Sequence, residues 1–264
     1  MERRRRIGSG DHLSDELIID VRLADGDWSP TAEDLLVVVE PVYGGVAVAA
    51  ALDAGWKTVE IAELGANANA PGREPIPLVS FEQGVPRDQP GATRCRVRSD
   101  DLVATLERVM AGDATPILAT PANARPAMSG VARAVSACAR VTFVPAIHVV
   151  ESEEEVDHPD EAMTVDGMWA AGMLIRILLE ELETERPVWL ADGAGVAVSV
   201  AQGAEDPASQ LTAGVRWRGH LDTGGNADDL RIAAAIDTIG TVPIVIEDEE
   251  GTFIARPWIA PIDD

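Results

Sequence analysis

Leu35-Leu36-Val37-Val38-Val39-Glu40-Pro41-Val42-Tyr43-Gly44-Gly45 is the stretch that decides how this chain is read. Five consecutive aliphatic residues, 35–39, predict a strand buried on both faces, as in α/β sheets. The run stops at an acid and at Pro41, which has no backbone donor for a ladder. Gly44 and Gly45 lead into a helix over 46–53, closed by Asp53-Ala54-Gly55. An acid at the carboxyl end of a buried strand, beside a glycine-rich helix start, is where α/β folds place ligands. Glu40 follows five buried positions directly, so its carboxyl sits at the sheet rim or has a partner.

Working outward, strands and helices alternate. A strand is expected over 17–23 with a turn at 24–27, and a short one over 58–62. Residues 65–93 are rich in Gly, Pro, Asn and Ala and read as a long irregular excursion. Helical spacing covers 100–111, with Leu102, Val103, Leu106, Val109 and Met110 on one side. Strand 116–119, helix 128–139 and strand 141–144 follow, then an acidic loop over 151–161 and the longest helix, 163–181. Strands are expected at 188–191, 196–200 and 242–246, and a helix at 230–236. No repeat recurs at a fixed period. The pattern predicts a three-layer α/β/α fold with a mixed, mostly parallel sheet, as a single domain over 15–264 behind a disordered basic tail, 1–14.

Forty-five acids against twenty-one bases give a formal charge of −24, and Lys57 is the only lysine. Such a surface repels itself in dilute buffer and becomes tolerable when salt screens it. It resembles the haloarchaeal pattern of adaptation to a salt-rich cytosol. Duplex DNA is excluded as a partner, because neutralising phosphates needs clustered Lys and Arg. No apolar run approaches the roughly 20 residues of a membrane span. Arg3-Arg4-Arg5-Arg6 is followed by Ile7-Gly8-Ser9-Gly10, with no apolar segment of a secretory signal, so a cytoplasmic location is expected. Cys95 and Cys138 read as small core residues.

Common catalytic signatures are missing: the chain has no G-x-S-x-G, no Walker A loop and no H-E-x-x-H. Asp192-Gly193-Ala194-Gly195 lacks the third glycine of a dinucleotide loop and reads as a turn. His148 and His158 flank the acidic loop, which reads as solvated rather than metal-binding because acids are abundant throughout. Asp192, Glu205-Asp206 and Asp228-Asp229 read as surface or helix-cap acids.

The order of these segments resembles the 2-phosphosulfolactate phosphatase family, Mg²⁺-dependent enzymes linked to coenzyme M biosynthesis, over roughly residues 15–260. In that family a run of valines leads to Asp-Val-Leu-Arg-Ala-Thr-Thr and an alanine-rich helix. Here the same context reads Val37-Val38-Val39-Glu40-Pro41-Val42-Tyr43-Gly44-Gly45, with the acid kept in kind as Glu40 and Tyr43 where the arginine would be. The family's Thr-Thr-Asn-Gly-Thr corresponds to Val97-Arg98-Ser99-Asp100-Asp101, and its Leu-Asn-Ala to the segment holding Asn123-Ala124. Its Glu-Asp-x-x-x-Ala-Gly helix start is similar to Val165-Asp166-Gly167-Met168-Trp169-Ala170-Ala171-Gly172. Asp228 to Ala234 and Val242-Pro243 fit its C-terminal pattern.

The resemblance implies hydrolysis of a phosphomonoester of a small acidic metabolite. Glu40, Tyr43, Asp100 and Asp101 are then the catalytic positions, with Gly44, Gly45 and Asn123 near substrate and Mg²⁺ held by Glu40 and Asp166. It implies a small phosphorylated acid as partner, no nucleic acid, no membrane, and room for a homodimer. The alternative within the same resemblance is a catalytically inactive relative that binds a ligand or serves as a structural subunit.

Overall fold

The computed structural model describes residues 16–24, 28, 30–31, 33–63, 93–110, 115–148, 164–204, 206–222 and 227–259. The expected basic tail, most of the 65–93 excursion, the 151–161 loop and His158 lie outside the described residues. Nine strands form one sheet: β1 (Leu17–Val21), β2 (Asp34–Val39), β3 (Thr58–Ala62), β4 (Arg94–Arg98), β5 (Ile117–Ala119), β6 (Arg140–Pro145), β7 (Val188–Leu190), β8 (Pro243–Glu247) and β9 (Phe253–Pro257). Their order is β4-β3-β9-β8-β5-β2-β6-β1-β7. β7, β1, β6, β2 and β5 pair in parallel, as do β3 and β4. The antiparallel strands β8 and β9 join the two parallel blocks. With helices on both faces, this is a mixed, mostly parallel sheet in a three-layer α/β/α fold.

The quoted run behaves as its composition predicts. Val37 and Val39 enter the core on one face of β2, while Leu36 and Val38 enter the core on the other. Full burial of each such side chain contributes about 1.5–3 kcal/mol. The first face is covered by α3 (Ala124–Ala134), α4 (Val165–Glu181) and α5 (Asp192–Gln202), through Met128, Val131, Leu174, Ile175, Leu178, Ala194 and Ala197. The second is covered by α1 (Gly44–Asp53) and α2 (Asp100–Val109), through Val48, Leu52, Leu102, Leu106 and Val109. Cys95 and Cys138 are buried in the two cores, and burial pushes their thiols up to about 12 and about 11. Neither is suited to act as a nucleophile near neutral pH.

Several expectations are corrected. Residues 196–200 are not a strand but part of α5, and Asp192-Gly193-Ala194-Gly195 is its first turn. Val196-Ala197-Val198-Ser199-Val200 alternates as a strand does, but the buried set is Ala194, Ala197 and Ala201, at helical spacing. The small face suits a close approach: a Cβ on Gly172 of α4 would overlap the Ala197 carbonyl. The helix expected at 128–139 is displaced to Ala124–Ala134, and the one at 230–236 shortens to α8 (Asp229–Ala233). β4 was hidden because arginines alternate with its apolar residues, and β9 also went unread. Two short helices also went unread, α6 (Pro207–Ala213) and α7 (Val215–Asp222). Among the described residues no helix is long and apolar enough to cross a membrane.

Candidate functional site: an arginine-centred carboxylate cluster

Register places the carboxyl ends of β5, β2 and β6 side by side, with Val39 beside both Ala119 and Pro145. Glu40 leaves the end of β2 and is 1% exposed. Its Oε1 accepts from the Tyr43 amide at 3.1 Å, and its Oε2 accepts from the Gly45 amide. The carboxyl thus turns back onto the first amides of α1, where the helix dipole favours negative charge. Gly45 is required there, since a Cβ would run into the Glu40 carbonyl and the Thr120 methyl. Gly44 permits an equally close approach to Ser99. Burial pushes the Glu40 carboxyl above its ordinary range, and neighbouring Asp101 adds to the rise. Arg216 and the Gly45 and Tyr43 amides pull the other way.

Arg216 of α7 organises the site. Its side chain is 2% exposed, and its Nη1 donates to Asp101 Oδ2 at 3.1 Å and lies 3.8 Å from Glu40 Oε1. Its Nε donates to Thr164 Oγ1 at 3.1 Å and lies 3.5 Å from Asp166 Oδ2. Its Nη2 donates to the Ala146 carbonyl just beyond β6. One guanidinium therefore gathers carboxylates from the end of β2, the first turn of α2 and the first turn of α4. Its planar fork suits this multiple contact in a way an ammonium would not.

Local sequence explains how each acid is placed. Ser99 caps α2 by accepting from the Leu102 amide at 3.2 Å, which sets Asp100 and Asp101 in the first turn. Thr105, one turn later, donates to the Asp101 carbonyl at 2.6 Å and accepts from the Ile147 amide at 2.8 Å. This hydroxyl ties α2 to the segment after β6 and brings His148 Nδ1 to 3.2 Å from Asp101 Oδ2. Thr164 caps α4 through the Gly167 amide, so Asp166 is held at the positive end of a 17-residue helix.

Asp166 is fully buried, and neither carboxylate oxygen has a hydrogen-bond partner. Gly214 presses against it so closely that a Cβ would overlap the carboxylate. The cation beside these oxygens is the Arg216 guanidinium, with Nε 3.5 Å from Oδ2. Among the described residues no group of three or more His, Cys, Asp or Glu is arranged to hold a metal. Mg²⁺ does not need a full protein cage, because it keeps several waters and takes one or two carboxylates plus substrate phosphate. Asp166 and Glu40 are the carboxylates that could serve in that role, Asp166 with both oxygens free of hydrogen bonds and Glu40 with both already accepting amides.

The sequence-predicted positions divide. Glu40, Asp101 and Asp166 come together at Arg216. Asp100 lies in the same turn as Asp101, but the carboxylate that reaches Arg216 is that of Asp101. Tyr43 lies beside the cluster, its ring 5.1 Å from that of His220. Asn123 serves as a structural bracket: its Oδ1 accepts from the Thr120 amide at 2.8 Å, and its Nδ2 donates to the carbonyls of Leu118 and Thr241. Asp229, expected at a surface or cap, is buried and 2.9 Å from His220 Nε2. Asp206 does cap α6, through the Ser209 amide at 2.8 Å.

Sequence reasoning missed Arg216 and His220, and it read His148 as flanking a solvated loop and Asp229 as a surface or cap acid. The available signal was the spacing of Arg216 and His220, four apart with Trp217 beside them, which puts all three on one side of a helix. Compared with known proteins, the chain matches no family model and no curated protein sequence.

Proposed function

We propose that this chain is a divergent hydrolase of the 2-phosphosulfolactate phosphatase type, acting in a salt-rich cytosol on a phosphomonoester of a small acid. The observation that carries the reading is the convergence of Glu40, Asp101 and Asp166 on Arg216 beside the ends of β2 and β6. The family's arginine is missing at Tyr43, and Arg216 supplies a guanidinium to the same neighbourhood from another part of the chain. Phosphoryl transfer asks mainly for positioning and for positive charge around the phosphoryl oxygens.

The chain's own groups divide the work. Arg216 orients the carboxylates and provides fixed positive charge. Asp166 and Glu40 would hold Mg²⁺, which when bound supplies the charge neutralisation that lets an anionic ester approach an acidic site. Burial of Asp166 and Arg216 keeps water from screening these charges.

A second reading is favoured by one observation: Glu40 already occupies the amides at the start of α1, where a phosphate would otherwise bind. A non-catalytic relative that binds a ligand or serves as a subunit needs no such phosphate site. The deciding experiment uses full-length protein in multimolar KCl with Mg²⁺, presented with 2-phosphosulfolactate and a panel of other alkyl phosphomonoesters. Release of phosphate at least a hundredfold faster than by the Glu40→Ala variant supports the hydrolase. Equal rates for the two proteins select the binding reading.

A further inference from the structure

A partly exposed Asp–His pair stands at the edge of the buried cluster. His148 and Asp101 have side chains 18% and 20% exposed, against 2% or less for Glu40, Asp166 and Arg216. The imidazole is held on several sides. The residue before it is fixed by the Ile147 amide on Thr105 Oγ1, and the one before that by Arg216 on the Ala146 carbonyl. Gly219 of α7 lies alongside, and a Cβ there would stand 3.5 Å from the ring's Cε1, an ordinary contact. Nδ1 is 3.2 Å from Asp101 Oδ2, and that same oxygen accepts from Arg216 Nη1 at 3.1 Å. Among the described residues, Nε2 has no hydrogen-bond partner.

A carboxylate at Nδ1 fixes the tautomer, stabilises the imidazolium and leaves Nε2 as the nitrogen that exchanges a proton. Among the described residues, the charged groups that face the ring are Asp101 from α2 and, through that carboxylate, Arg216 from α7. A histidine that only filled space would not need its partner carboxylate anchored by a second, buried residue.

We propose that His148 is the general acid of the phosphomonoester hydrolysis described above, an inference that rests on that reading. Water attacks phosphorus and forms the new P–O bond. The bond from phosphorus to the ester oxygen breaks with its electron pair going to that oxygen, which takes the proton from His148 Nε2 and departs as the alcohol. The proton lost by the attacking water returns to the ring through solvent. Asp101 is a positioning residue that holds Nδ1–H.

The test compares esters with different need for leaving-group protonation. His148→Gln is expected to lower kcat on the best alkyl phosphomonoester of the panel by about 10²–10⁴-fold. On p-nitrophenyl phosphate, whose leaving group departs without a proton, the loss stays under tenfold. The alkaline limb of the wild-type pH–rate profile disappears in His148→Gln. Imidazole added to His148→Ala restores alkyl-ester turnover, which a merely misfolded variant would not allow. Equal losses on the two esters, or an unchanged alkaline limb in His148→Gln, overturn the role of His148 while leaving the phosphatase reading in place. No turnover of either ester by the wild-type protein overturns both.

Discussion

Arg216 Nη1 donates to Asp101 Oδ2 at 3.1 Å, joining two short helices whose contacting residues lie 115 positions apart in the chain. Around that bond, one buried guanidinium faces three carboxylates on three different elements. Most of what can be tested about this protein depends on that charge balance.

Removing the guanidinium strands its partners. Arg216→Met is expected to destabilise the protein by about 3–5 kcal/mol, the usual cost of leaving buried charges without their counter-ion. Arg216→Lys should recover only part of this, because an ammonium cannot bridge the same set of oxygens. Urea denaturation at fixed KCl measures both. A loss below about 1 kcal/mol for Arg216→Met would mean that the acids are not held charged by it.

The raised pKa of Glu40 sets a pH dependence with a definite sign. The folded protein keeps this proton to a higher pH than the unfolded chain, whose value is the ordinary 4.5. The stability that results is complete below 4.5 and is lost as pH rises through the folded value. Wild-type protein should therefore lose stability relative to Glu40→Gln as pH rises above 4.5. Taking the difference between the two proteins cancels the titration of the other acids. A difference that stays flat as pH rises above 4.5, measured by urea denaturation, would contradict the inferred burial cost.

Asp166 is the carboxylate of the cluster whose oxygens have no hydrogen-bond partner. Asp166→Asn should raise the Mg²⁺ concentration for half-maximal phosphate release by about tenfold or more. It should also abolish any rise in melting temperature on adding Mg²⁺ to the substrate-free protein. An unchanged Mg²⁺ response in both measurements would remove Asp166 from the proposed metal site.

Two glycines in packed helices test the placement of α5 with opposite signs. Gly172→Ala should destabilise by about 1–3 kcal/mol, since the new methyl meets the Ala197 carbonyl. Gly195→Ala should stabilise by roughly 0.5–1 kcal/mol, because a Cβ there meets nothing within 4 Å and alanine is the better helix former. Thermal melting of the two variants reports both signs. A destabilising Gly195→Ala would argue against a helix over 192–202.

How much was legible follows from where the physical signal resides. Residues 35–39 announced a doubly buried strand because an unbroken aliphatic run has no polar face to turn to water. Residues 196–200 misled because Val, Ala and Ser alternated with period two. The alanines that pack were separable from the exposed Val196 only by the helix they face. Arginines interleaved in β4 likewise concealed a strand whose Arg96 is buried against Glu60.

The sequence by itself determined the α/β alternation, the buried strand that ends in Glu40, and the glycines that start α1. Each depends on neighbours within a few residues. Only the tertiary structure decided that Asp101 and Asp166, but not Asn123, would join Glu40, and that Arg216 would be their counter-ion. The reason is physical: a buried charge must be paired, and its partner is selected by which elements the sheet brings together, whatever their separation along the chain.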